Sequence, residues 1–152
     1  MSFERITRKT KEVLENQLFD YNKDRKGASW IHTDWPLANS MRPRISILQI
    51  SSNLRGLGAN TKKRYQEGTM RIYILVDSMA KNLVDQEGKK ITAEEAGSQI
   101  SDEIGKIINH NEEIEGMEGV YFVAWVDEDR DFEGNRRDIQ RWLDFTVAMK
   151  RG

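Results

Sequence analysis

The sequence predicts an α+β fold: a mostly antiparallel sheet of about four strands with two helices packed on one face. Three observations predict it. Two segments carry apolar residues at helical spacing, four others read as strands, and their order is helix, strand, strand, helix, strand, strand. Strands that follow one another in pairs favour hairpins over the βαβ crossovers of a doubly wound sheet. A chain of 152 residues is long enough to bury roughly 68–70% of its unfolded surface, which suits one core. One domain, 1–152, is therefore expected.

The first helix is expected over about residues 3–20, because Phe3, Ile6, Val13, Leu14 and Leu18 fall on one side of a 3.6-residue period. An irregular segment with Trp30, Trp35 and Pro36 then runs to Pro43. Ile45 and Ile47 on one pleat face, and Leu48 and Ile50 on the other, predict a largely buried strand over 44–51. A polar connection with glycines is expected over 51–68. Met70-Arg71-Ile72-Tyr73-Ile74-Leu75-Val76, rich in β-branched and aromatic residues, is the next strand and the hairpin partner of the first. Thr92 followed by Glu95 makes a capping box, and Ala96, Ile100, Ile104, Ile107 and Ile108 step along one face, predicting a helix over about 92–110. Strands are expected over 120–126 and 142–149, separated by an acidic linker. In the last, Leu143, Phe145, Val147 and Met149 alternate with Trp142, Asp144, Thr146 and Ala148.

Composition narrows function. The absence of cysteine excludes disulfides, thiolate nucleophiles and zinc knuckles. No apolar run approaches the roughly 20 residues of a membrane span, and the charged N-terminus has no secretion-signal pattern, so neither membrane insertion nor secretion is expected. A net charge of −1 argues against a wholesale nucleic-acid binder. Yet the charge is unevenly spread. Between residues 41 and 71, Arg42, Arg44, Arg55, Lys62, Lys63, Arg64 and Arg71 face only Glu67. Between 111 and 138, Glu112, Glu113, Glu115, Glu118, Asp127, Glu128, Asp129, Asp131, Glu133 and Asp138 outweigh Arg130, Arg136 and Arg137. The chain is bipolar.

Several constellations could carry chemistry. Asp127, Asp129, Asp131 and Asp138 match positions 1, 3, 5 and 12 of a calcium loop, but Phe132 stands where the sharp turn needs glycine, and a charged hairpin is the plainer reading. Asp77 after a strand, with Glu87 and Lys89 beyond it, has the residue types of a metal-dependent nuclease, in which carboxylates hold Mg²⁺ and a lysine polarises water. No strand pattern surrounds Glu87-Gly88-Lys89. The basic loop 55–65, with Lys62-Lys63-Arg64-Tyr65, has the cations and the aromatic of a small nucleic-acid-binding module; a solvated hairpin tip is the alternative. Ser29, His32 and Asp34 are too close in sequence to converge as a triad, and His110 is placed to meet helix-terminal carbonyls. Trp30, Trp35, Trp125 and Trp142 read as core or interface anchors. No catalytic residue, cofactor or metal site is expected.

The layout resembles the tail terminator, or tail-completion, proteins of tailed bacteriophages and their proviral or archaeal-virus relatives. The features that carry it are the amphipathic helix over 3–18 and the strand Arg44-Ile45-Ser46-Ile47-Leu48-Gln49-Ile50 with its long polar hairpin. They continue with Arg71-Ile72-Tyr73-Ile74-Leu75-Val76-Asp77, a helix beginning Ala93-Glu94-Glu95-Ala96, and closing strands that end Arg141-Trp142-Leu143-Asp144-Phe145-Thr146-Val147. The resemblance implies a non-enzymatic virion protein of the tail and neck, assembled in the host cytoplasm into a ring, commonly a hexamer. Such a ring caps the tail tube, stops its polymerisation and presents the head-tail joining surface. Implied partners are other copies of the chain, the tail tube protein and a head-completion or neck protein, with passing contact with DNA admitted and no membrane. The charge pattern then suggests an interface in which Arg55, Lys62, Lys63 and Arg64 meet Asp127, Asp129, Asp131 and Glu133 of a neighbour or of the tube. The alternative is that the two hairpins lie side by side in one subunit and neutralise each other.

Overall fold

The computed structural model describes residues 3–25, 30–34, 42–56, 64–109, 120–123, 128–132 and 138–151. Helix α1 is Phe3–Gln17, and Ile6, Val13 and Leu14, with Leu18 just beyond its end, point into the core. Thr10 is also buried there, its hydroxyl donating back to the Ile6 carbonyl at 2.8 Å. Strands β1 (Ile31–His32), β2 (Arg44–Gly56) and β3 (Arg64–Asp77) follow, then helix α2 (Ala93–Asn109). Strands β4 (Val120–Val123), β5 (Glu128–Phe132) and β6 (Asp138–Arg151) complete the chain. The predicted capping box is present: the Glu95 N–H donates to Thr92 Oγ1 at 3.2 Å, and the Thr92 hydroxyl donates to Glu95 Oε1 at 3.1 Å.

Two helices and a mixed, mostly antiparallel sheet make an α+β fold. Across the sheet the order is β1-β2-β3-β6-β4, with β5 sharing the β6 edge with β4. The core lies between one sheet face and both helices. Ile45 and Ile47 of β2, Met70, Ile72, Ile74 and Val76 of β3, and Ile139, Leu143 and Phe145 of β6 meet Ala96, Ile100, Ile104 and Ile108 of α2 and the apolar stripe of α1. The alternation of each strand and the stripe of each helix are satisfied together, which is why the pattern predicted them.

Four differences from the sequence reading have physical causes. The polar segment 51–68 is mostly strand, because β2 and β3 pair out to Gly56 opposite Arg64; the ladder is made by backbone groups and needs no apolar side chains. A register shift between Gln49 and Ser51 leaves Ile50 as the extra residue of a bulge. The acidic linker holds β5, paired with β6, and β6 begins at Asp138 instead of 142. In the segment read as irregular, Ile31–His32 pairs parallel with Ile45 and Ser46, which makes the sheet mixed.

The chain between α1 and β1 is held by side chains. Asn22 is buried; its Nδ2 donates to the Arg42 carbonyl at 2.9 Å, and its Oδ1 accepts from the Asp24 N–H and from Asn82 Nδ2, both at 2.9 Å. Arg25, only 2% exposed in its side chain, pairs with Asp20 at 3.0 Å, donates to the Pro43 carbonyl and lies 5.4 Å from the Trp30 ring centre. Burial lowers the pKa of its guanidinium, and Asp20 opposes that shift. Asn22→Ala removes three hydrogen bonds and should cost roughly 2–4 kcal/mol, taking each bond at about 0.5–1.5 kcal/mol. A urea titration should show a lowered midpoint with an unchanged slope.

Candidate functional site

The sheet face away from the helices carries a compact polar and aromatic cluster. Register places it. Arg71 stands opposite Asp144, and Tyr73 opposite Trp142, in the β3–β6 ladder. Arg71 Nε donates to Asp144 Oδ1 at 2.7 Å and Nη2 to Oδ2 at 3.0 Å, a two-pronged pair, while Nη1 donates to the Tyr73 hydroxyl at 3.2 Å. The guanidinium lies 5.7 Å from the Tyr73 ring centre and 5.4 Å from that of Trp142. Its hydrogen bonds to Asp144 and Tyr73 raise its pKa above the usual guanidinium value. All four residues are half-buried. A planar cation fixed against two partly open rings is the composition of an interface hot spot.

The same ladder separates the charges. At one end Arg64 stands opposite Arg151, and at the other Asp77 stands opposite Asp138. Thirteen residues part these ends, about 40 Å at ~3.3 Å per residue. Like charges directly opposite each other destabilise a sheet, and this ladder ends on a basic pair and an acidic pair.

The predicted interface residues divide accordingly. Arg55 and Arg64 lie at the basic end, where Arg55 is opposite Tyr65 and Tyr65 opposite Lys150. Asp129 and Asp131 lie in β5, opposite Trp142 and Gln140, toward the acidic end. The backbone places the two groups roughly 30 Å apart, nine residues along β3 from Arg64 to the level of Tyr73. They do not lie side by side within the subunit. Lys62, Lys63, Asp127 and Glu133 lie outside the described residues, as do Ser29, Trp35, His110 and Trp125. Two bases of the basic segment are used internally. Arg71 is paired with Asp144, and Arg44, 8% exposed, donates to Asp34 at 2.9 Å while burial lowers its pKa.

The nuclease residues are not brought together. Asp77 alternates with buried Val76, so it falls on the helix-free side, where its carboxylate accepts the Met79 N–H at 2.9 Å. Glu87 and Lys89 sit in a tight turn around Gly88 (φ 82°), with Asp85 Oδ1 accepting both their N–H groups at 2.9 and 2.8 Å. Among the described residues no group of three or more His, Asp or Glu could hold a metal ion. The calcium spacing also dissolves: Asp129 and Asp131 belong to an extended strand, not to a folded loop.

On the helix side, Tyr21, Gln86, Glu87, Gln99, Asp102, Glu103 and Lys106 line a groove of about 350 Å³. The Tyr21 hydroxyl donates to Glu103 Oε1 at 2.6 Å, and Gln86 Nε2 donates to the same oxygen at 2.8 Å. Burial first, then Glu103, pushes the Tyr21 phenol well above its ordinary value.

Sequence reading singled out Trp142 as a core or interface residue but missed Arg71 and Asp144 as a pair, since only the register shows that they are opposite. No protein-family model matches the chain, and no curated protein matches it in sequence.

The Tyr21 shift has a definite sign. Its folded pKa lies above the unfolded value of 10.0, so its contribution is complete below pH ~10 and is lost as pH rises beyond that. Tyr21→Phe should flatten the fall of stability between about pH 10 and 11.5, measured by urea titration beside the native chain. An equal slope in both would refute the assignment.

Proposed function

We propose that this protein is a structural assembly protein of the tail-terminator kind. It forms a ring at the head-proximal end of a phage tail, ends growth of the tail tube and offers the surface on which the head is joined. The observation that supports this reading is the charge-divided ladder, basic at Arg64 and Arg151 and acidic at Asp77 and Asp138. A subunit of net charge −1 with opposite ends has two unlike surfaces along its strand direction. A joining ring has the same need, one face for the tube and another for the neck.

The ends are about 40 Å apart by their register, several times the screening length of ~8 Å at physiological salt. Each end therefore meets its partner as an independent charge. Orientation is set because a reversed subunit brings like charges together. In this reading Arg55, Lys62, Lys63 and Arg64 face an acidic surface along the ring axis, and Asp129, Asp131 and their neighbours serve the other side. The protein acts by binding and needs no cofactor.

Light scattering on the purified chain across salt and concentration tests the proposal. The expected result is a discrete hexamer-sized species, with further salt-sensitive association through the charged ends. Arg55→Glu combined with Arg64→Glu should remove the salt-sensitive association. A chain that stays monomeric throughout and cleaves DNA with Mg²⁺, losing that activity on Asp77→Ala, would overturn the proposal in favour of a nuclease.

A further inference from the structure

Among the described residues the two edges of the sheet are open at the same height. On one edge β1 covers β2 only at Ile45 and Ser46, and among the described residues no strand lies against β2 from 47 to 56. On the other edge β4 pairs with β6 and, among the described residues, has no strand on its far side. The registers carry one row across the sheet: Leu54 opposite Gln66, Gln66 opposite Met149, and Met149 opposite Val120. Another row runs from Ser52 through Gly68 and Val147 to Phe122.

We infer that the bare part of β2 receives β4 of the neighbouring copy, so that subunits join edge to edge into one continuous sheet. This rests on the ring reading and names the lateral contact of that ring. β2 runs antiparallel to β3, β3 to β6 and β6 to β4, so β2 and β4 run in opposite directions. A neighbour rotated about an axis near the strand direction therefore presents an antiparallel edge, with Ser52 level with Phe122 and Leu54 level with Val120.

The backbone groups match as well as the directions. The Ile45 N–H donates to the Trp30 carbonyl at 2.8 Å, so Ile45 points away from β3. Strict alternation, with the bulge at Ile50 counted, then turns Ser52 and Leu54 outward on β2 and Val120 and Phe122 outward on β4. At equal height these outward residues face each other as hydrogen-bonded pairs. Charge favours the same contact. The chain enters β4 from Glu112, Glu113, Glu115 and Glu118, while the receiving strand ends on Arg55, beside the basic pair Arg64 and Arg151.

The chain has no cysteine, which makes the test direct. Asn53 and Tyr121 are level and form a non-hydrogen-bonded pair between copies, with Cα atoms about 4.5 Å apart, a span a disulfide accepts. Within one copy β3 and β6 lie between them, three strand spacings of about 4.8 Å, too far for a disulfide. Asn53→Cys with Tyr121→Cys should therefore give, under mild oxidation, only links between copies, closing at the ring mass seen by light scattering. Asn53→Cys with Val123→Cys, two residues out of register, should link far less. Ser52→Pro removes a donor that points away from β3, so it should keep the circular dichroism of the native chain and lose the ring. A hexamer-sized species that neither cross-links nor responds to Ser52→Pro overturns the edge pairing and leaves the ring reading standing. Cross-linked open chains uphold the pairing and overturn ring closure. A monomer that does not cross-link overturns both.

Discussion

The fold depends on the backbone ladder of β3. All fourteen residues of this strand pair with β6, and all but its last two pair with β2. A strand bonded on both sides leaves almost no choice of register, because a slip of one residue would carry Met70, Ile72, Ile74 and Val76 from the helix side to the open side. Once β3 is fixed, so are the faces of β2 and β6, the strip that α2 covers and the heights of the charged residues along these three strands. The helices then add the second apolar layer, with α2 over β3 and β6 and α1 over β2.

That ladder also explains what the sequence could reveal. The helices were legible because their apolar stripes and the Thr92 cap are local signals. The strands were legible where apolar residues alternate or run together. Ser51, Ser52, Asn53, Leu54 and Arg55 carry no alternation that distinguishes strand from loop, yet the backbone of β3 templates them. β5 was hidden for the same reason, its Glu-Asp-Arg-Asp run reading as linker while β6 supplies the pairing. The charge division was visible as composition, but not its geometry. Arg44 and Arg71 looked like members of a basic surface, and each is committed to a carboxylate, Asp34 just past β1 for Arg44 and Asp144 on β6 for Arg71.

The open face and the charged ends place different demands on the sheet. Arg71, Tyr73, Trp142 and Asp144 are tied to one another, and Arg71 and Asp144 cancel each other's charge in the middle of this face. The ends set like residues opposite each other, Arg64 with Arg151 and Asp77 with Asp138, and in the proposed assembly these are the places for partners of opposite sign. In the proposed function, stability and recognition are thus separated along the length of the same sheet.

An edge-to-edge assembly must also decide between a closed ring and an endless fibre, since a heterologous contact with any net rise does not close. Two features of β2 bear on that choice. β1 occupies the edge at Ile45 and Ser46, and the bulge at Ile50 interrupts the strand just beyond, so among the described residues an incoming β4 finds a bare and regular edge only past the bulge. An incoming strand that slid toward Ile45 would meet the bulge first and β1 beyond it. A slide of more than two residues the other way would run past Gly56 and bring the acidic approach to β4 beyond Arg55. Among these registers the level one is the one with least rise. A bare, flat edge would be a hazard for open polymerisation, and in the proposed contact the short β1 and the bulge turn that hazard into a defined stop.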